Sequence, residues 1–159
     1  MIAKTRQLLY NKGKMYTYKE IPAMKKNILV GQSGGPTAVI NASLYGVITE
    51  GMEHLDEIEH VYGMIHGVEG FLKDSYTDLS QDLTQKELEL IRLTPAAYLG
   101  SCRYKLPKDL TSPVYFTLFK KLEALNIGYF LYIGGNDSMD TVSKLSRYAA
   151  QVGSPIRFM

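Results

Sequence analysis

Short apolar runs alternate along this chain with longer stretches whose apolar residues recur every three or four positions. The first run covers residues 27–31 and meets Gln32-Ser33-Gly34-Gly35-Pro36-Thr37, the pattern of a buried strand entering a tight turn. Across residues 38–50, Ile40, Leu44, Val47 and Ile48 fall at helical spacing, with Gly51 as the expected stop. Residues 60–65 read as a second strand closed by Gly63, Gly67 and Gly70, and residues 74–82 as a polar loop. Thr84 followed by Glu87 has the spacing of a reciprocal N-terminal cap, which predicts a short helix over 84–93. After a loop at 94–112, residues 113–126 put Tyr115, Leu118, Phe119, Leu122 and Leu125 on one stripe and Lys120, Lys121 and Glu123 off it, as in an amphipathic helix. A strand at 127–133, a helix at 139–152 and the opening of a strand at 155–159 complete the pattern. Strands separated by helices pair in parallel through right-handed crossovers. The expected fold class is therefore α/β: a doubly wound, mainly parallel sheet of Rossmann type with helices on both faces.

Composition narrows the class without changing it. At 159 residues, 45% hydrophobic and 21% charged, the chain has the make-up of one globular domain, which sets aside collagen-like, disordered and disulfide-scaffold proteins. No stretch approaches the ~18 apolar residues of a spanning helix, so no membrane partner is expected. Cys102 is the single cysteine; it excludes an internal disulfide and fits a reducing, cytoplasmic location.

The net charge of +2 conceals an asymmetry. Residues 1–26 hold seven cations (Lys4, Arg6, Lys12, Lys14, Lys19, Lys25 and Lys26) against Glu20, whereas the rest carries 11 basic and 15 acidic residues. With Tyr10, Tyr16 and Tyr18 interleaved, this arm has the composition of a nucleic-acid or acidic-surface binder. The reading preferred here is a solvated extension or leftover leader, with Met24-Lys25-Lys26-Asn27 as a second start, and no nucleic-acid partner. No apolar core of a signal peptide follows the positive charges.

Candidate chemistry lies at two strand-to-helix junctions, Ser33-Gly34-Gly35 and Gly134-Gly135-Asn136-Asp137-Ser138. In a parallel sheet both fall at the carboxyl edge of strands, where glycines admit a ligand to the backbone and helix N-termini offer free N–H groups to an anion. Neither is a Walker A loop, which needs Gly-Lys-Ser/Thr, and neither is the dinucleotide fingerprint with its third glycine. Arg103, after Gly100-Ser101, is a guanidinium suited to bidentate phosphate contact, or else a surface arginine. His54, His60 and His66 straddle a loop and a strand, and are read as ordinary surface residues rather than metal ligands. Cys102 is read as a spectator, having no histidine close in sequence to activate it.

Taken in order, these segments resemble the phosphofructokinase family over residues 27–159. Gly-Gln-Ser-Gly-Gly-Pro-Thr-Ala-Val-Ile-Asn-Ala at 31–42 is similar to the family's opening strand and phosphate turn, with Asn41 in the helix behind it. Residues 62–72 resemble its next glycine-rich strand and turn, and Gly100-Ser101-Cys102-Arg103 its Gly-Ser-X-Arg loop. Gly134 to Ser138 matches the Gly-Gly-Asp-Gly-Ser signature with two changes, Asn136 for Asp and Asp137 for Gly.

The resemblance implies phosphoryl transfer to the 1-hydroxyl of fructose 6-phosphate with Mg2+ on the donor oxygens. The Gly-to-Asp change, which fills the space of a nucleotide phosphate and repels it, is associated in the family with inorganic diphosphate as donor in place of ATP. On this reading Gly35 offers its N–H to the donor, Arg103 stabilises the transferring group with Tyr104 beside it, and Gly135, Asn136 and Ser138 line the donor side. Asn136 occupies the metal position, although an amide is a weaker magnesium ligand than the usual Asp, and Asp137 selects against ATP. The family's general base lies in a Thr-Ile-Asp-Asn-Asp segment that these residues do not include. The expectation is thus a basic extension at 1–26 and, at 27–159, the N-terminal donor-binding part of a longer, cytoplasmic, homo-oligomeric glycolytic enzyme (dimer or tetramer), negligibly active alone. An ATP-dependent phosphofructokinase, a non-catalytic phosphate-binding domain and a nicotinamide dinucleotide kinase remain as alternatives.

Overall fold

The structure, a computed structural model, describes residues 8–11, 14–17 and 24–159. Strands β1 (Leu8–Asn11) and β2 (Lys14–Thr17) pair antiparallel, Leu8 opposite Thr17, so part of the segment expected as an extension is a two-stranded ribbon. Lys4, Arg6, Lys12, Tyr18, Lys19 and Glu20 of the basic arm lie outside the described residues.

The main sheet has five strands: β3 (Lys26–Gln32), β4 (Ile58–Met64), β5 (Tyr76–Asp78), β6 (Ile127–Ile133) and β7 (Arg157–Phe158), in the order β5-β4-β3-β6-β7. Only the β4–β5 pair is antiparallel. The helices are α1 (Ile40–Glu53), α2 (Gly67–Leu72), α3 (Gln85–Leu93), α4 (Pro113–Ala124) and α5 (Asn136–Val152). Side chains alternate along the central strands and divide the core in two. Leu29, Phe130 and Tyr132 join Phe71, Tyr115, Leu118, Leu122 and Leu145 beneath α2, α4 and α5. Val30 and Val61 join Leu44, Ile48, Leu88 and Ile91 beneath α1 and α3. The expected mainly parallel sheet covered on both faces is the one observed.

Four local expectations are corrected. Residues 67–72, read as the close of a strand, form helix α2, entered through His66 at φ 57°. The polar loop at 74–82 contains β5, too short to leave an alternation. Gly51 does not end α1, which runs on to Glu53: a Cβ there would stand 2.7 Å from Val61, so the glycine lets the helix lie close on β4. Helix α5 begins at Asn136 rather than 139, so Asn136, Asp137 and Ser138 are its first turn and not a preceding loop. The cap at α3 is as read, with the Thr84 hydroxyl accepting from Glu87 N–H and the Glu87 carboxylate accepting from Thr84 N–H.

Candidate donor site at the switch point of the sheet

Strand order decides where the two glycine turns lie. From β3 the chain winds outward to β4 and β5, then returns to place β6 on the other side of β3. The gap beyond the carboxyl ends of β3 and β6 is the topological switch point, where ligands bind in open α/β sheets. Gln32 pairs in register with Ile133, and Ser33 N–H donates to the Ile133 carbonyl at 2.9 Å. Residues 33–35 and 134–138, about a hundred apart in sequence, therefore share one cavity of about 540 Å3.

Its walls suit an anion. Helices α1 and α5 both start at this cavity, and neither has a side-chain hydrogen bond capping its N-terminus, leaving first-turn N–H groups and positive dipole ends available. Gly34 stands at φ 84°, a conformation that favours glycine, and at Gly35 a Cβ would meet nothing within 4 Å, so the backbone is open to a ligand. Gly134 has the opposite role: a Cβ there would lie 2.0 Å from Ser138 Oγ and 2.6 Å from the Ser33 carbonyl, so its missing side chain lets the two turns touch.

The exposed Asp137 carboxylate faces this cavity and lies 3.3 Å from Lys105 Nζ. Ser138 Oγ is buried and has no hydrogen-bond partner. Asn136, Asp137 and Ser138 together supply an amide oxygen, one carboxylate and a hydroxyl, all hard donors. No cluster of three His, Cys, Asp or Glu side chains that could hold a metal occurs among the described residues. This set fits Mg2+ held by one carboxylate and completed by substrate phosphates and water, not a cage built by protein alone.

A buried amide network holds the turns in place. Gln32 Nε2 donates to Asn41 Oδ1 (3.0 Å) and to the Ile40 carbonyl (3.2 Å), while its Oε1 accepts from Leu99 N–H at 2.9 Å. Asn41 also accepts from Tyr98 N–H (2.8 Å) and donates to the Thr94 carbonyl (2.9 Å). Strand β3, helix α1 and residues 94–101 are thus tied at one point, and the Ser101 hydroxyl donates to the Gly34 carbonyl.

Of the residues singled out in the sequence, Gly35, Gly135, Asn136, Asp137 and Ser138 surround one cavity. Arg103 and Tyr104 do not line it. Arg103 borders a neighbouring cavity with His66, Glu69 and Lys73, and Tyr104 packs half-buried against the core beneath α4. The three histidines occupy separate settings: His54 beside Glu50, His60 beside Asp78 at 2.7 Å, and His66 at the start of α2. Cys102 is buried, its Sγ 3.5 Å from the Tyr132 hydroxyl, which also accepts from Val68 N–H. Burial above all, and then the Cys102 contact, push the Tyr132 phenol up to about 12.

Sequence reasoning passed over Lys105, Ser101 and Gln32 as site residues. Asn41 had a legible signal: it is a polar residue on the buried face of α1, among Ile40, Leu44 and Ile48. Lys105 had none, because the fold alone sets it against Asp137.

The family model described as phosphofructokinase matches residues 27–157. The chain is 43% identical over 133 residues to the pyrophosphate–fructose 6-phosphate 1-phosphotransferase of Rhodospirillum rubrum, a match that covers 84% of this chain and 31% of that one. Against the enzyme of the same name from Halomonas elongata, identity is 42% over 132 residues, covering 82% and 31%. The crystal structure of the pyrophosphate-dependent phosphofructokinase from Nitrosospira multiformis superposes with a TM-score of 0.77 at 38% identity, covering 84% of this chain and 32% of that one. The chain spans 31% of the length of these curated relatives. With the match running from the first strand of the main sheet to its last, and the glycine turns meeting at the switch point, the chain belongs to the phosphofructokinase family.

Proposed function

We propose that residues 27–159 are the phosphoryl-donor-binding part of a phosphotransferase that converts inorganic diphosphate and fructose 6-phosphate into phosphate and fructose 1,6-bisphosphate. The observation that carries this reading is the Asp137 carboxylate, exposed on the wall of the cavity between the two glycine turns. On this reading the two terminal phosphates of a donor lie between the glycine turns, on their backbone N–H groups. A third, nucleotide-linked phosphate would meet Asp137 at contact distance, where two like charges ~4 Å apart repel by ~1 kcal/mol in water and ~4 kcal/mol at a protein surface. Diphosphate has no such group and avoids the clash.

The chemistry asked of this chain is positioning and charge neutralisation. Backbone N–H groups at Gly35 and at the start of α5 bind the donor oxygens, and Lys105 adds a cation beside Asp137. Asn136 and Asp137 would hold Mg2+, whose charge would offset that of the donor. Arg103 acts from the adjoining loop, which Ser101 ties to Gly34. The aspartate that takes the proton of the sugar hydroxyl in this family is not among these 159 residues, so turnover by this chain alone is expected to be negligible. We assign the activity to cytoplasmic glycolysis in a homo-oligomer.

Calorimetric titration of the 159-residue chain with diphosphate and with ATP, each with Mg2+, tests the reading. Diphosphate is expected to bind the more tightly; equal or tighter binding of ATP favours an ATP-dependent enzyme.

A further inference from the structure

Three segments of the chain meet around one side chain of the central sheet. Tyr132 on β6 is 4% exposed, and its ring lies in the core with Phe130, the two centroids 5.9 Å apart. A phenylalanine would fill that space as well. What the tyrosine adds is a hydroxyl, and a buried hydroxyl costs free energy unless it is bonded. Here it is engaged on two sides: its oxygen accepts from Val68 N–H, in the first turn of α2, at 3.3 Å and stands 3.5 Å from Cys102 Sγ. With its pKa pushed up to about 12, the phenol keeps its proton at neutral pH and can donate while it accepts.

Gly67 shows how closely these segments pack. A Cβ there would lie 2.6 Å from the Tyr132 hydroxyl, 2.8 Å from Cys102 Sγ and 3.2 Å from the Gln32 carbonyl, so the start of α2, the loop at 100–104 and the end of β3 converge on one point. Gln32 is the last residue of β3 before the first glycine turn. One residue before Cys102, the Ser101 hydroxyl donates to the Gly34 carbonyl, and beyond Arg103 the Tyr104 and Leu106 side chains pack into the core beneath α4. Arg103 is thus an exposed residue on a loop fastened before and after it. Among the described residues its guanidinium has no carboxylate within ion-pair distance, and Glu69, which borders the same cavity, is paired with Lys73 at 2.9 Å. A cation on a fastened loop is already placed for an anion and loses little freedom on meeting it.

We infer that Tyr132 is a positioning residue for the phosphoryl donor: its hydroxyl holds the loop that carries Arg103 against α2 and the end of β3, and so sets where the guanidinium meets the donor. Tyr132 does not line the donor cavity, so it acts only through the loop. The inference rests on the donor reading above for its ligand, whereas the hold of Tyr132 on the loop does not.

Two measurements on the 159-residue chain test it. Cys102 is the single cysteine, so its rate of modification by a thiol reagent reports on the loop without any ligand. Tyr132→Phe is expected to raise that rate by about three- to tenfold, the effect of one lost hydrogen bond on local opening. The second measurement is calorimetric titration with diphosphate and Mg2+. Tyr132→Phe is expected to weaken binding by about three- to tenfold and Arg103→Ala by at least about tenfold; in the Arg103→Ala background Tyr132→Phe is expected to add less than about twofold, because it acts through the guanidinium. A merely structural role would weaken both backgrounds equally. Should Tyr132→Phe lack a native far-UV spectrum, Cys102→Ala removes the same contact from the loop side, leaves Val68 its acceptor, and is expected to repeat the binding pattern. An unchanged labelling rate in folded Tyr132→Phe, or equal weakening with and without Arg103, would overturn the proposal. Failure of the wild-type chain to bind diphosphate would count against the donor reading, and the labelling rate would still decide whether Tyr132 holds the loop.

Discussion

Asn41 offers the most direct test of how the fold holds its candidate site. Its side chain is 2% exposed and makes three hydrogen bonds, with Gln32, Tyr98 and Thr94, joining β3, α1 and the 94–101 segment. Asn41→Ala removes all three. Gln32 Nε2 keeps the Ile40 carbonyl, but Tyr98 N–H and the Thr94 carbonyl lose the partner that the network gives them. A buried polar group left unsatisfied costs ~1–3 kcal/mol, and both groups are partly buried, so the expected loss is ~2–4 kcal/mol. With a urea m-value of ~1–3 kcal/mol per molar for a domain of this size, the midpoint should fall by roughly 1–2 M. Amide exchange adds a local readout: Tyr98 and Leu99 should lose protection before the strands do. A midpoint shift below ~0.3 M, with Tyr98 still protected, would refute the view that this network fixes the glycine turns.

Two further predictions concern close packing and burial. Gly134→Ala drives a Cβ against the Ser33 carbonyl, which cannot swing aside as a side chain would, and should destabilise by ~1–3 kcal/mol, whereas Gly35→Ala meets nothing and should leave the melting temperature unchanged while weakening diphosphate binding; equal melting of the two variants would contradict the packing account. The Tyr132 phenol, pushed up to about 12 in the folded chain from an ordinary 10.0, keeps a proton that the unfolded chain releases. Stability is therefore fully present below pH 10 and is lost as pH rises toward 12, by ~1.4 kcal/mol per pH unit and at most about 3 kcal/mol. Thermal melts of Tyr132→Phe between pH 9 and 11.5 should show a shallower decline than wild type, with buried Tyr115 supplying part of what remains; identical slopes would contradict it.

Elements whose pattern spans several turns or a whole strand were legible in the sequence. Strand β6 lies at 127–133 as read, α4 follows its Tyr115–Leu118–Leu122 stripe, and the Thr84 cap is present at α3. What escaped was short or glycine-rich. Helix α2 holds two glycines in six residues and enters through a left-handed histidine, features that read as a strand ending. Strand β5 has three residues and owes its existence to the edge of β4. At the site, the glycine turns were legible because close backbone approach demands that residue type. The Gln32–Leu99 bond and the Lys105–Asp137 pair join residues 67 and 32 apart, and only the strand order brings them together.

The central claim is that Asp137 sets the phosphoryl donor. Asp137→Gly removes the carboxylate and is expected to raise the affinity for ATP relative to diphosphate by at least about fivefold, the smallest effect consistent with ~1–4 kcal/mol of relieved repulsion, because the loss of a Mg2+ ligand weakens both donors alike. Calorimetric titration of both ligands into wild type and variant, with Mg2+, measures this directly. A ratio of ATP to diphosphate affinity that does not rise in Asp137→Gly would contradict the account.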